Sequence, residues 1–276
     1  MYTDSRVKFH AARLAFALLL LSGTIFPCVA FAGSIGFRVD TTIHAGSELQ
    51  VGVKLSHTGD EAAADVFPVA SVEGLQAKGE VLANFSPRTN HEWLLDLGKL
   101  NLSPGSYTVV VRINYADQNG YPFQVLSTAP LRRGVDMRTI VRGQLRIGTI
   151  PENGSAKALV TLEAPRGEQG RYRVNLVSPS GLSVNNESVE VDLKSGKKTS
   201  VEFQLTNRKL LVGTAVNCYA LVTNLTDAPP QTDTIQGIAR IVAPREMLTT
   251  TLIMQIAGML TVLLIILELA TLRRLR

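Results

Sequence analysis

The residues best equipped for chemistry in this 276-residue chain are five arginines, Arg132, Arg133, Arg138, Arg142 and Arg146. They fall within fifteen positions that hold a single acid, Asp136. A planar guanidinium fork holds a carboxylate or phosphate at two points, so such a strip suits an anionic contact on a partner. Arg138, Arg142 and Arg146 keep an even spacing, which places them on one face of a strand. The solvated face of an antiparallel strand has the same composition, and both readings stand at this point.

Other candidates for chemistry are thin. His44, His57 and His91 lie far apart in sequence and show no metal-ligand spacing. No G-x-S-x-G, P-loop or G-x-G-x-x-G is present. Asp117-Gln118-Asn119-Gly120 opens like a calcium loop but lacks its closing glutamate. Asn-Gly suits a two-residue hairpin turn better. Trp93, between apolar neighbours, reads as a core indole more readily than as a sugar platform. Cys218 sits on an apolar strand face and reads as a small buried hydrophobe. The expectation is a protein without enzymatic activity, cofactor or metal, working by interaction.

The elements that must position these residues are strands. Leu49, Val51, Val53 and Leu55 alternate with Gln50, Gly52 and Lys54, and Tyr107, Val109, Val111, Ile113 and Tyr115 alternate with residues that include Thr108, Arg112 and Asn114. The same period of two recurs at Val141, Leu145 and Ile147, at Val189, Val191 and Leu193, and at Val201, Phe203 and Leu205. Asp117–Gly120 is expected to close a hairpin, and Lys194-Ser195-Gly196-Lys197-Lys198 to join its flanking strands in the same way. Short strands joined by turns argue for an all-β chain of two tandem Ig-like β-sandwiches, residues 33–131 and 132–246. Arg132-Arg133-Gly134 serves as the connector. Ser103–Val109 and Gly170–Val174 each place a Tyr before a core strand, where its hydroxyl can tie down a corner.

Both ends of the chain read differently. Basic residues, the apolar run 14–21 and Ala30-Phe31-Ala32 form a secretory signal over residues 1–32. Residues 247–267 carry no charge, and at about 1.5 Å per residue they reach about 31 Å, enough for a bilayer core. The expectation is therefore a single-pass membrane helix over 247–272 with a cytoplasmic basic tail, 273–276. The β part would then lie on the periplasmic or extracellular side, with lipid contact through the helix. Within the span, Gln255 and Glu268 either pair with another membrane helix or serve their own helix and the interface.

Charge narrows the partners. Residues 33–246 hold 22 basic and 21 acidic groups, so a nucleic-acid partner has no electrostatic footprint. The distribution is uneven: residues 33–131 carry 6 basic and 10 acidic groups, and residues 132–246 carry 16 and 11. Cys218 alone remains once residues 1–32 are set aside, which leaves no intramolecular disulfide. Asn-x-Ser/Thr sequons stand at Asn84, Asn101, Asn153, Asn186 and Asn224.

The strand 49–55, the turn His57-Thr58-Gly59-Asp60 and residues 102–107 resemble bacterial CARDB modules. Residues 189–205 and 217–223 resemble NEW3 modules. The resemblance implies an Ig-like fold in envelope proteins and carries no catalytic residue. The functional expectation is a non-catalytic, membrane-anchored envelope protein that scaffolds or assists an extracytoplasmic complex through a protein partner. Two rival readings are an adhesin or glycan-binding module and a pilus-chaperone-like assembly factor. The adhesin would expose Trp93. The assembly factor would present an edge strand and a basic anchor in an interdomain cleft, for which Arg132 and Arg133 are candidates.

Overall fold

The computed structural model describes residues 34–99, 101–134, 140–165, 167–226, 229–244, 253–262 and 265–266. Among the described residues the chain is all-β through residue 242. Its first eight strands are β1 (Phe37–Ala45), β2 (Glu48–His57), β3 (Ala63–Val72), β4 (Leu75–Lys78), β5 (Leu82–Phe85), β6 (Asn90–Lys99), β7 (Gly105–Ala116) and β8 (Pro122–Arg133). Next come β9 (Arg142–Ile147), β10 (Ile150–Pro151), β11 (Ser155–Glu163), β12 (Gly170–Val177) and β13 (Leu182–Val184). The last are β14 (Ser188–Leu193), β15 (Lys198–Asn207), β16 (Ala215–Asn224) and β17 (Gln231–Val242).

Alternation along β2 sends Leu49, Val51, Val53 and Leu55 inward, all essentially inaccessible. They pack against Ala70, Val109, Val111 and Ile113 from the facing sheet. The three-stranded sheet β1-β2-β6 thus covers one face of the β3-β7-β8 region. Tyr107 buries its ring, and its hydroxyl donates to the Ser103 carbonyl at 2.9 Å, the corner expected from the sequence. The β7–β8 hairpin also forms, but with a three-residue tip. Gly120 N–H bonds the Asp117 carbonyl at 3.0 Å, and Gly120 takes φ +78°, a left-handed geometry that glycine adopts without strain.

The second half repeats the arrangement with the four-stranded sheet β13-β15-β11-β9 over β12, β16 and β17. Val160, Leu162, Phe203 and Leu205 meet Tyr172, Val174, Ala220 and Val222 in its core. One turn departs from expectation. Residues 194–197 do not close a hairpin, because β14 pairs with β12 while β15 pairs with β11 and β13. The loop instead carries the chain from one sheet to the other, turning at Gly196 with φ +64°. Gly-containing turn chemistry reverses a chain equally well within a sheet and between sheets.

The two halves share one ten-stranded sheet, ordered β14-β12-β16-β17-β7-β3-β4 along its main path. The link is a parallel pairing of Gln231 with Ser106, supported by Ser106 N–H donating to the Pro230 carbonyl at 2.9 Å. Beyond this link the outward faces of the two halves meet. Val110 and Leu126 are buried there, 5% and 2% exposed, outside either sandwich core. The Tyr219 hydroxyl donates to the Leu126 carbonyl at 3.3 Å, and the Thr108 and Thr234 hydroxyls lie 3.0 Å apart. The Tyr121 hydroxyl donates to the Lys209 carbonyl, and Ser180 N–H to Gln124 Oε1 at 3.1 Å.

The C-terminal region corrects the expected membrane placement. Helical geometry is described for residues 253–262 and 265–266. Among the described residues, no helix is long and apolar enough to cross a membrane. The single-pass localisation read from the uncharged run is therefore set aside: apolar composition measures hydrophobicity, whereas crossing also needs continuous helix length. Gln255 is exposed on this short helix. Glu268, Arg138 and the expected signal segment 1–32 lie outside the described residues.

Candidate functional site in the cleft between the β halves

The four described arginines of the strip fall on two strands, β8 and β9. Arg142 and Arg146 do share the exposed face of β9, with Gln144 between them and Leu145 buried behind. Arg146 Nε donates to Gln144 Oε1 at 3.1 Å, so part of this face is internally occupied. Arg132 and Arg133 belong to β8, opposite Ser106 and Gly105, in the ten-stranded sheet. Arg133 donates to the Leu102 carbonyl. These two are the last residues of a strand instead of a free connector.

The remaining candidates resolve into structural roles. Trp93 is 7% exposed, and its indole N–H donates to the Glu80 carbonyl at 3.0 Å. It offers no sugar platform, so the feature that favoured a glycan-binding module is gone. Cys218 is inaccessible, and burial pushes its thiol up to about 12. His57 is 3% exposed; burial lowers its pKa, partly offset by the Glu61 backbone, and Nδ1 accepts from Gly59 N–H at 3.1 Å. Among the described residues, no group of three or more His, Cys, Asp or Glu stands close enough to hold a metal ion. Asn224 is buried, with its side-chain oxygen accepting from Thr226 N–H at 2.8 Å.

A concave feature lies where the halves meet. A cleft of about 710 Å³ opens between the outward face of β3, β4 and β7 and the face of β12 and β16, with β13 and its neighbouring loops as a wall. That volume falls within the range of small-molecule and peptide pockets. Its basic group is Arg112 on β7. The side chain is half-buried, and burial lowers its pKa, yet a guanidinium remains charged in a protein. Nη1 donates to Ser71 Oγ at 3.1 Å, and Ser71 Oγ reaches the Val110 carbonyl at 3.5 Å.

Arg112 has no carboxylate within ion-pair distance among the described residues. Arg171 and Arg173 make the contrast. They share the outward face of β12 with Asn175 of the cleft, and both bind Glu190, at 2.7 and 2.9 Å. Hydrogen bonding from Arg173 holds the Glu190 carboxyl below its ordinary range. Arg112 keeps one neutral partner out of five donors.

The period of two puts Arg112 on the outward strand face with Thr108 and Asn114, where a charged residue is unremarkable. The available signal was Val110, an apolar residue on that same face, paired across β8 with Thr128 and flanked by Leu126. A strand apolar on both faces is covered on both.

No protein-family model matches the chain, so the resemblance to CARDB and NEW3 modules rests on its strand-and-turn stretches alone. No curated protein matches it either. Among solved structures, Escherichia coli alpha-2-macroglobulin in its native conformation is similar over 75% of this chain and 17% of its own, at 10% identity and TM-score 0.31. The same protein activated by porcine elastase covers 77% and 22%, at 12% identity and TM-score 0.30. This chain spans less than a quarter of either structure's length, and likeness at these scores carries no functional argument.

Proposed function

We propose that this chain is a non-catalytic binding module whose two Ig-like halves hold a protein partner at their junction, thereby scaffolding or assisting a larger assembly. One observation carries the reading: a cleft of about 710 Å³ is walled by both halves and contains a half-buried arginine without an acidic partner. Leaving a charge partly desolvated is unfavourable unless something completes it, and such groups concentrate where ligands bind. Backbone and side-chain bonds across the junction hold the two walls, so the cleft is preformed and loses little order on binding.

The reading is tested by filling the cleft. Gln76 and Ser180 line it and are exposed, so Gln76→Trp with Ser180→Trp should leave the fold within about 0.5 kcal/mol of the parent while blocking entry. Affinity capture with the tagged full chain should then lose the partner that the parent retains. Undiminished capture by a folded, filled variant overturns the reading.

A further inference from the structure

We infer that the junction cleft is a site for a single carboxylate carried on a peptide, with Arg112 as its anchor. This inference rests on the binding-module reading and adds the chemistry of what is bound.

The charge inventory of the cleft selects the anion. Among the described residues Arg112 is its sole cation, and Glu73 and Glu187 are exposed on its walls. One guanidinium balances one carboxylate, in the bidentate geometry that a planar fork favours. A phosphate monoester carries about −1.5 to −2 charges at pH 7, and here it would meet two glutamates with only one cation to neutralise it. The single positive group, flanked by acids, therefore discriminates against the dianion.

The rest of the lining selects the carrier. Ser71, Ser178 and Asn175 supply hydroxyl and amide groups suited to peptide N–H and carbonyl partners. Leu75, Val177 and Leu221, each half-buried, supply apolar surface for flanking side chains. Among the described residues no aromatic ring lines the cleft, so an acidic sugar would find no stacking platform. Ser71 sets the approach. Its hydroxyl lies between Arg112 Nη1 at 3.1 Å and the Val110 carbonyl at 3.5 Å, so one donor of the fork is directed and the others remain for a ligand.

The test uses the full chain labelled with 15N and follows the amides of Ser71, Gly74 and Ser178 on titration. The probes are acetyl-Gly-Gly with a free terminal carboxylate, acetyl-Glu-amide with a side-chain carboxylate, acetyl-Gly-Gly-amide, glucuronic acid and inorganic phosphate. At least one carboxylate peptide should shift these amides saturably and bind tenfold or more tighter than acetyl-Gly-Gly-amide. Comparing the two carboxylate peptides separates a chain terminus from an acidic side chain. Arg112→Gln, which removes the charge and keeps a polar side chain, should weaken that binding at least tenfold.

Gln76→Glu supplies an independent variant. It is isosteric and exposed, it pairs with Ser71 across β3 and β4, and it adds a competing carboxylate without touching the half-buried arginine. It should weaken binding fivefold or more. Equal binding of acid and amide probes, tighter binding of phosphate or glucuronic acid, or full affinity in Arg112→Gln or Gln76→Glu overturns the inference. If cleft filling abolishes partner capture while Arg112→Gln leaves it intact, the binding module stands and the carboxylate anchor falls. If cleft filling changes nothing, both fall.

Discussion

Strands β7 and β9 show the same alternation in sequence and meet opposite fates. Each sends one row of apolar residues into a sandwich core. The outward row of β9, Arg142, Gln144 and Arg146, stays exposed. The outward row of β7, Ser106, Thr108 and Val110, is buried against the second half, and Arg112 marks where that burial opens into the cleft. Arginines on an exposed strand face keep their hydration. A lone arginine at the edge of a doubly covered strand is poised for a ligand, because partial desolvation strengthens whatever bonds it makes.

The largest effect expected from breaking this contrast is at the junction itself. Leu126→Ala removes a side chain 2% exposed between the halves and should cost about 2–5 kcal/mol, read by chemical denaturation. A cost near zero would mean that the outward face of β7 and β8 is no more buried than that of β9. Gly105→Ala attacks the same seam from the backbone. A Cβ at this position would stand 2.7 Å from the Pro230 carbonyl oxygen, and overpacking against main chain costs about 1–3 kcal/mol.

Acid sharpens the comparison by asking whether the seam makes one cooperative unit. Burial lowers the pKa of His57 in the first core from the ordinary 6.5, so the unfolded chain takes up the proton first. Stability is therefore full above about pH 6.5 and is lost as pH falls from there toward the lowered folded value. His57→Gln should flatten that part of the profile. Cys218, inaccessible in the second core, reports the other half: it should resist thiol reagents in the native chain and become reactive on unfolding. If the seam couples the halves, acid-promoted opening of the first core and labelling of Cys218 share one midpoint. Separate midpoints would show two independent units.

The smallest effect is expected on β9. Arg142→Ser with Arg146→Ser should shift stability by no more than about 0.5 kcal/mol, since both side chains are exposed. The same double substitution should leave carboxylate-peptide binding at the cleft unchanged. A loss of affinity would return the arginine strip to consideration as a binding surface.

Strand identity was legible from local pattern alone. The rows Leu49–Leu55, Tyr107–Ile113 and Val201–Leu205 were readable because a period of two follows directly from backbone geometry. Burial of Trp93 and Cys218 was legible for the same reason, as each has apolar neighbours at strand spacing. The corner at Tyr107 was readable because its partner, Ser103, lies only four residues away.

What no local pattern contained was the pairing of distant segments. Whether residues 194–197 turn within a sheet or between sheets depends on which strands β14 and β15 find, and those partners lie in β12, β11 and β13. The long uncharged run at the C-terminus announced apolarity, but continuous helix length is a property of the folded backbone. The cleft shows the division most plainly. Arg112, Asn175, Leu182 and Leu221 are scattered over more than a hundred positions, and each is unremarkable on its own strand. The sequence determined that these residues sit on strand faces; only the tertiary structure decided that two of those faces meet, because that contact is made between halves whose alternation carries no information about each other.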